Sequence, residues 1–290
     1  MKSKLLLIIN PIAGNGLAPL IENDIKASGI EEKYEVTISY SEKRGHAAQL
    51  ANTAVENKFQ VVVAVGGDGT INETASSLVN SSTALGIIPS GSGNGLAMHL
   101  QYPKNPLQAL LKIKNGKLHK IDTMRVNNRF AVNVSGFGFD GYVASLFDKQ
   151  RKRGLRSYTL ITLREYFSYP EIKFQISIDD QQFDQAAHMI VIANASQFGN
   201  AAIIAPNADL KDGLANIIIV KRPPLHLLPS TFYRLFNGTL KSNRYTKMFT
   251  GKKLLIKTSN PIHLHIDGEP MDPISEVEVT VSPSTLNVIY

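Results

Sequence analysis

The sequence predicts an α/β domain with a parallel sheet, followed by a second, mostly antiparallel β-sandwich domain. Two observations carry this. The first third repeats a strand, a glycine-rich loop and a helix, the pattern of a parallel sheet with crossover helices. After Asp122 the rhythm changes to short strand-like runs punctuated by turn residues.

Taken in order, residues 5–10 read as a buried strand and 11–16 as a loop. A helix over 17–28 precedes a strand over 33–40. Residues 46–57 read as a helix with apolar positions at Ala47, Leu50, Ala51, Ala54 and Val55. Residues 61–65 are uninterrupted apolar, as in a central parallel strand covered on both faces. Gly-Gly-Asp-Gly breaks that run before a helix over 70–78. A strand over 84–88, a turn over 89–95 and a short helix over 96–100 repeat the unit. Beyond Asp122, strands are expected at 130–135, 172–178, 189–193, 215–220, 254–257, 262–266 and 277–281. Helical patterns interrupt at 142–149, 157–166 and 226–236.

The chain has 290 residues, enough for two domains, and 43% of them are hydrophobic. Cysteine is absent, which excludes disulfides, thiolate metal sites and a cysteine nucleophile. The apolar run at 5–9 is too short for a signal-peptide core, and no run approaches the roughly 20 residues of a membrane span. A cytoplasmic protein, peripheral at the membrane surface, is therefore expected. The net charge of +7 is unevenly placed: residues 214–266 carry nine Lys or Arg and no Asp or Glu. Such a segment fits an anionic partner or a solvated face. Its interleaved aromatics, Tyr233, Phe236, Tyr245 and Phe249, favour an anionic membrane over nucleic acid, and core packing accounts for some of them.

Three loops at expected strand ends are rich in Gly, Asn and Ser: 10–16, 66–73 and 89–95. Glycine lets the backbone approach an anion, and the following helix start adds partial positive charge. One such turn would be ordinary turn chemistry; three at successive strand ends point to a phosphate-binding edge. Asp68 within the second loop would repel phosphate unless it holds a metal, a water or a substrate hydroxyl. An N-cap or Asx turn is the structural alternative. No lysine follows these glycines, so the P-loop pattern is absent.

These motifs, with Asp267-Gly-Glu269, resemble the diacylglycerol kinase catalytic-domain family of diacylglycerol, sphingosine, ceramide and bacterial lipid kinases. The resemblance implies residues 1–122 as an ATP-binding α/β domain and 123–290 as a lipid- and metal-binding β-sandwich. It implies too that the last strand can return toward the first domain, with ATP in the cleft between the two. It implies nucleotide contacts at Asn10, Pro11, Gly14, Ser41, Gly66, Gly67, Asp68, Gly69, Thr70, Asn72, Ser92, Gly93 and Asn94. Ser41 stands where relatives usually carry threonine. Mg²⁺ would be held by Asp209, Asp212 and Leu214; Asn216 replaces an acidic residue common after Asp-Gly. Asp140 is similar to a residue that contacts the lipid headgroup in sphingosine kinases. Glu269 matches the family's general base, with Asp68 the second catalytic candidate. Asn94-Gly-Leu-Ala97 is closer to the sphingosine kinase branch than to the Asn-Asp-Phe of many bacterial members.

The implied reaction is ATP- and Mg²⁺-dependent phosphorylation of a lipid primary hydroxyl. An NAD kinase-like activity and a catalytically silent nucleotide- or lipid-binding protein are the alternatives, and a homodimer is left open. Gly136-Phe-Gly138-Phe-Asp-Gly141 is a literal G-x-G-x-x-G, but it lies outside the parallel repeat, against a dinucleotide reading. His263, His265, Asp267 and Glu269 alternate at period two; the carboxylates are read as functional and the histidines as structural.

Overall fold

A computed structural model describes residues 2–13, 21–150 and 155–290, which form two compact units. One comprises Met1–Asp122 with Ser284–Tyr290; the other is Thr123–Pro283. The fold is a mixed sheet with parallel strands in the first unit and a β-sandwich-like second unit.

In the first unit, β1 (Ser3–Ile9), β2 (Tyr34–Tyr40), β3 (Val61–Gly66) and β4 (Ala84–Pro89) run parallel in the order β4-β3-β1-β2. Every residue of β3 and β4 is buried. Full burial of each such apolar side chain contributes about 1.5–3 kcal/mol, which explains the lack of polar alternation. Helices α1 (Ile21–Ser28), α2 (His46–Glu56), α3 (Asp68–Leu78), α4 (Gly95–His99) and α5 (Pro106–Asn115) complete the unit, with α2 packed on α3 and α1 on α5. The expected helix over 17–28 is described only from Ile21. Asn105 caps α5 by accepting the Gln108 amide at 3.0 Å, with Pro106 in the first turn.

The chain re-enters this unit at its end. Asp122 Oδ1 accepts the Ser284 amide at 2.7 Å, and Val288 pairs in parallel with Leu85. Asn287 Nδ2 donates to the Ser81 carbonyl at 2.7 Å, and the Tyr102 hydroxyl donates to the Ile289 carbonyl.

The second unit contains β5 (Leu118–Val126, entering from the first), β6 (Arg129–Ala131), β7 (Val134–Gly138), α6 (Phe139–Asp148) and α7 (Leu155–Glu165). Then follow β8 (Ile172–Ile178), β9 (Gln181–Ala187), β10 (Met189–Ala193), β11 (Ala215–Val220), α8 (Leu228–Phe236), β12 (Thr246–Gly251), β13 (Lys253–Ile266) and β14 (Glu269–Ile289). Strands β12-β11-β10-β7-β13 are antiparallel neighbours. The two strands expected at 254–257 and 262–266 are one, β13, with a register break between Lys257 and Ile262. Before the break it pairs with β8, and after it with β7, so one strand serves both layers. Phe137, Phe174, Ile190, Ile217, Leu254 and Leu264 form the buried core. The strand expected at 130–135 divides into β6 and β7. Strand β14 begins well before the expected 277–281, and β9 and β12 had not been anticipated.

Candidate active site

At the carboxyl ends of β1, β3 and β4 the loops are knitted together by backbone groups. Asn10 donates its amide to the Val65 carbonyl at 2.9 Å and its Nδ2 to Thr70 Oγ1 at 3.2 Å. The Asn10 Oδ1 accepts the Ile12 amide at 3.1 Å, which leaves Pro11 and Ile12 exposed. Gly14 lies outside the described residues. Ser41 is buried and donates its amide to Ile9 at 2.9 Å, continuing the β1–β2 pairing. Glu73 Oε1 accepts the Gly45 amide at 2.8 Å, fixing the loop before α2 to α3.

Gly66 and Gly67 turn the chain into α3. A Cβ on Gly66 would collide with the Thr70 side chain, while one on Gly91 would lie 2.5 Å from Gly67 Cα. The second and third loops therefore abut without side chains between them, as a close backbone approach requires. Gly69 has open space where a Cβ would stand, and Asn72 is half-buried on α3. The first amides of α3, at Asp68, Gly69 and Thr70, have no carbonyl within their own helix.

The third loop is organised from within and by Asp68. Buried Asn94 adopts φ 59°; its Oδ1 accepts the Gly91 amide at 3.1 Å and its Nδ2 donates to the Gly91 carbonyl at 2.6 Å. Asp68 Oδ2 accepts the Asn94 amide at 2.8 Å, and Oδ1 the Gly95 amide at 2.9 Å. Asp68 thus caps α4 from outside. Burial pushes its carboxyl pKa up, and the Asn94 and Gly95 amides oppose that rise. Two amides of the third loop are thereby committed to Asp68. Ser92 stands exposed at the loop tip, beside half-buried Gly93.

The second unit carries the other residues. Asp267 and Gly268, with φ of 49° and 85°, form the two-residue turn from β13 to β14, the type I′ pattern of Asp-Gly hairpins. Asp267 Oδ2 and Oδ1 accept the Val132 and Asn133 amides at 2.8 and 2.9 Å, which is why the chain breaks between β6 and β7 there. Glu269, half-buried, opens β14 opposite Ile266. Asp140 is buried on the first turn of α6; its Oδ2 lies 2.9 Å from His265 Nε2, and its Oδ1 accepts the Tyr158 hydroxyl at 3.0 Å. His265 and Tyr158 were missed as partners of Asp140. No local signal in the sequence joins them, because His265 meets Gly136 only through the β7–β13 register.

The glycine decoy resolves as packing. A Cβ on Gly136 would collide with the Asp140 carboxylate and lie 2.6 Å from His265 Nε2. One on Gly141 would collide with the His263–Leu264 backbone, and Gly138 needs φ 80°. His263 rests edge-on against Tyr142, so the histidines do not join the carboxylates in a ligand set; among the described residues no three His, Asp or Glu side chains form one.

Asp209 and Asp212 are exposed. Each forms an Asx turn, Asp209 Oδ1 accepting the Lys211 amide at 3.0 Å and Asp212 Oδ1 the Leu214 amide at 2.9 Å, with Gly213 at φ 73°. Two carboxylates and a backbone carbonyl are oxygen donors of the kind Mg²⁺ takes.

The family profile "Diacylglycerol kinase catalytic domain" matches residues 4–126, and "YegS C-terminal NAD kinase beta sandwich-like domain" matches residues 133–290. The chain belongs to the diacylglycerol kinase catalytic-domain family. A diacylglycerol kinase of Staphylococcus epidermidis is 25% identical over 93% of this chain and 86% of its own length. Another of that name, from Bacillus subtilis, is 25% identical over 91% and 88%. A solved diacylglycerol kinase chain from Bacillus anthracis shares the fold, with TM-score 0.76 at 20% identity over 99% of this chain and 97% of its own. The lipid-kinase family thus spans both units, and the sandwich profile's description records a likeness to the NAD kinase fold.

Proposed function

We propose that this chain is an ATP- and Mg²⁺-dependent lipid kinase, acting on a primary hydroxyl of a diacylglycerol- or sphingoid-type lipid. The observation that carries the reading is the seam of Gly67 against Gly91 at the carboxyl ends of β3 and β4. In a member of a lipid-kinase family, that edge suits a triphosphate. Asn10, Gly66, Gly67, Gly69, Thr70 and Asn72, with Pro11, Gly14, Ser41, Ser92, Gly93 and Asn94 around them, would line the nucleotide. Phosphoryl transfer demands positioning and charge neutralisation, which amides and a helix start supply.

Mg²⁺, when bound, would neutralise negative charge and hold oxygen ligands in place; Asp209, Asp212 and the Leu214 carbonyl fit it. Glu269 acts as the base that takes the acceptor hydroxyl's proton. Asp68 is assigned to holding the third loop, because both its oxygens already accept amides. Asp140 lines the acceptor headgroup.

The reading is tested by ATP consumption with diacylglycerol, sphingosine, ceramide and NAD as separate acceptors. Turnover with one of the lipids and not with NAD is expected. NAD-dependent turnover alone would assign the sandwich's NAD kinase likeness to activity, and turnover with none would leave a binding protein.

Contact with an anionic membrane belongs to the same proposal. No helix among the described residues is long and apolar enough to span a membrane. However, Leu225, Tyr233 and Phe236 are exposed on and beside α8, within the acid-free segment 214–266. Cations beside exposed aromatics suit anionic headgroups. Co-sedimentation with phosphatidylglycerol vesicles should fall as salt rises; binding insensitive to salt and to anionic lipid would remove the proposal.

A further inference from the structure

The second unit holds a buried side-chain network built around Asp140, whose other members, His265 and Tyr158, have no part in the reaction above. Asp140 and His265 are 5% and 4% exposed, and their Oδ2 and Nε2 are 2.9 Å apart. The other ring nitrogen, Nδ1, receives the Gly268 amide at 3.2 Å. An amide N–H can only donate, so Nδ1 carries no proton. The ring proton is then on Nε2 and is donated to Asp140. Tyr158 donates to the remaining Asp140 oxygen, so this carboxylate is satisfied from two sides. Gly136 provides the space for the pair, because any side chain there would displace it.

The receiving end of this chain is the turn that precedes Glu269. Asp267 pins one half of the turn to the Val132 and Asn133 amides, and His265 pins the other half through Gly268. Both turn residues have positive φ, so the direction in which the chain leaves toward Glu269 depends on these anchors. We propose that His265 is a positioning residue for Glu269: Asp140 fixes its tautomer, and Nδ1 holds the Gly268 amide so that the β13–β14 turn presents Glu269 in one orientation. This rests on the reading of Glu269 as the base. It also ties the acceptor-side residue Asp140 to the turn before the base through two hydrogen bonds within one unit.

Substitutions can separate the two bonds of His265. In His265→Asn the side-chain oxygen falls near the position of Nδ1, so it can accept the Gly268 amide but cannot reach Asp140. In His265→Gln the amide nitrogen falls near Nε2, so it can reach Asp140 but leaves Gly268 without its acceptor. The inference expects His265→Gln to lower kcat about 10- to 100-fold with KM for ATP unchanged, the size of a small misplacement of a reacting group. His265→Asn should recover most of that kcat.

The test runs wild type, both His265 variants and Glu269→Gln side by side, together with ¹⁵N NMR of the wild-type His265 ring, assigned by its loss in His265→Gln. A ring proton on Nε2 with the expected kinetic split supports the proposal. A proton on Nδ1, or a His265→Gln enzyme with wild-type kcat beside an inactive Glu269→Gln, overturns it while leaving the base reading intact. Near-normal turnover by Glu269→Gln overturns the base reading itself, and this inference with it. The ring signal can be assigned by its loss in whichever His265 variant folds, so the tautomer decides even where the other variant does not.

Discussion

The two units use carboxylates for the same mechanical task by different means. In the first unit, Asp68 reaches across to two backbone amides of the neighbouring loop, and beside it Gly67 and Gly91 meet backbone to backbone. In the second, Asp140 engages a histidine and a tyrosine, and Asp267 holds two amides of a distant strand break. A backbone-built edge suits a ligand such as a triphosphate, whose oxygens accept from any N–H. A side-chain network suits the placement of one reactive group, because each member fixes the next. The difference teaches which acids to suspect of chemistry. Asp68 has its oxygens committed to structure, whereas Glu269 follows a turn pinned from both sides.

The most severe test of that contrast is Glu269→Gln. Turnover should fall by about 10²–10⁴, the usual contribution of a positioned base, while thermal stability stays near wild type. Turnover near wild type would place the base elsewhere. Gly136→Ala should come next, destabilising the second unit by roughly 1–3 kcal/mol through overpacking against Asp140 and His265. Denaturant midpoints measure this, and an unchanged midpoint would mean that the pair has room to move. Gly91→Ala should act on the first unit by a comparable or smaller amount, by forcing the third loop off Gly67, and should weaken ATP binding with it. Unaltered nucleotide affinity would separate the seam from the ligand.

The last prediction concerns pH and not the site. His188 is buried among Phe139, Tyr166 and Tyr169, and burial, with the Arg222 charge adding to it, holds its pKa down at about 4. The unfolded chain binds this proton near pH 6.5, so between about 6.5 and 4 the unfolded state carries more protons. This contribution to stability is complete above pH 6.5 and is lost as pH falls toward 4. His188→Phe should flatten that part of the stability profile; an identical acid limb in both proteins would show that the ring is not desolvated on folding.

Much of the first unit was legible because its signals are local. The runs of β3 and β4 and the glycines that end them lie within a few residues of each other, and hydrophobic period and turn chemistry read such spans directly. Helix α5 was readable too, from the Asn105-Pro106 cap and first-turn signal, but was overlooked. The second unit resisted because its logic is non-local. Asp140 and His265 are 125 residues apart and meet only through the β7–β13 register. The two strands expected from 254–266 are one because a register break looks like a loop in sequence. Asp68 was recognised as unusual, yet its partners, 26 and 27 residues on, could not be read from its own loop.

The division of labour between Asp68 and Glu269 is tested most directly by titrating ATP into the Asp68→Asn and Glu269→Gln proteins under identical conditions. An asparagine at 68 turns one N–H toward an amide that needs an acceptor, so the third loop should loosen and ATP affinity should fall with turnover. Glu269→Gln should bind ATP as wild type does and fail only in transfer. Asp68→Asn binding ATP at wild-type affinity, or Glu269→Gln losing it, would contradict the assignment of one acid to building the nucleotide edge and the other to the reaction.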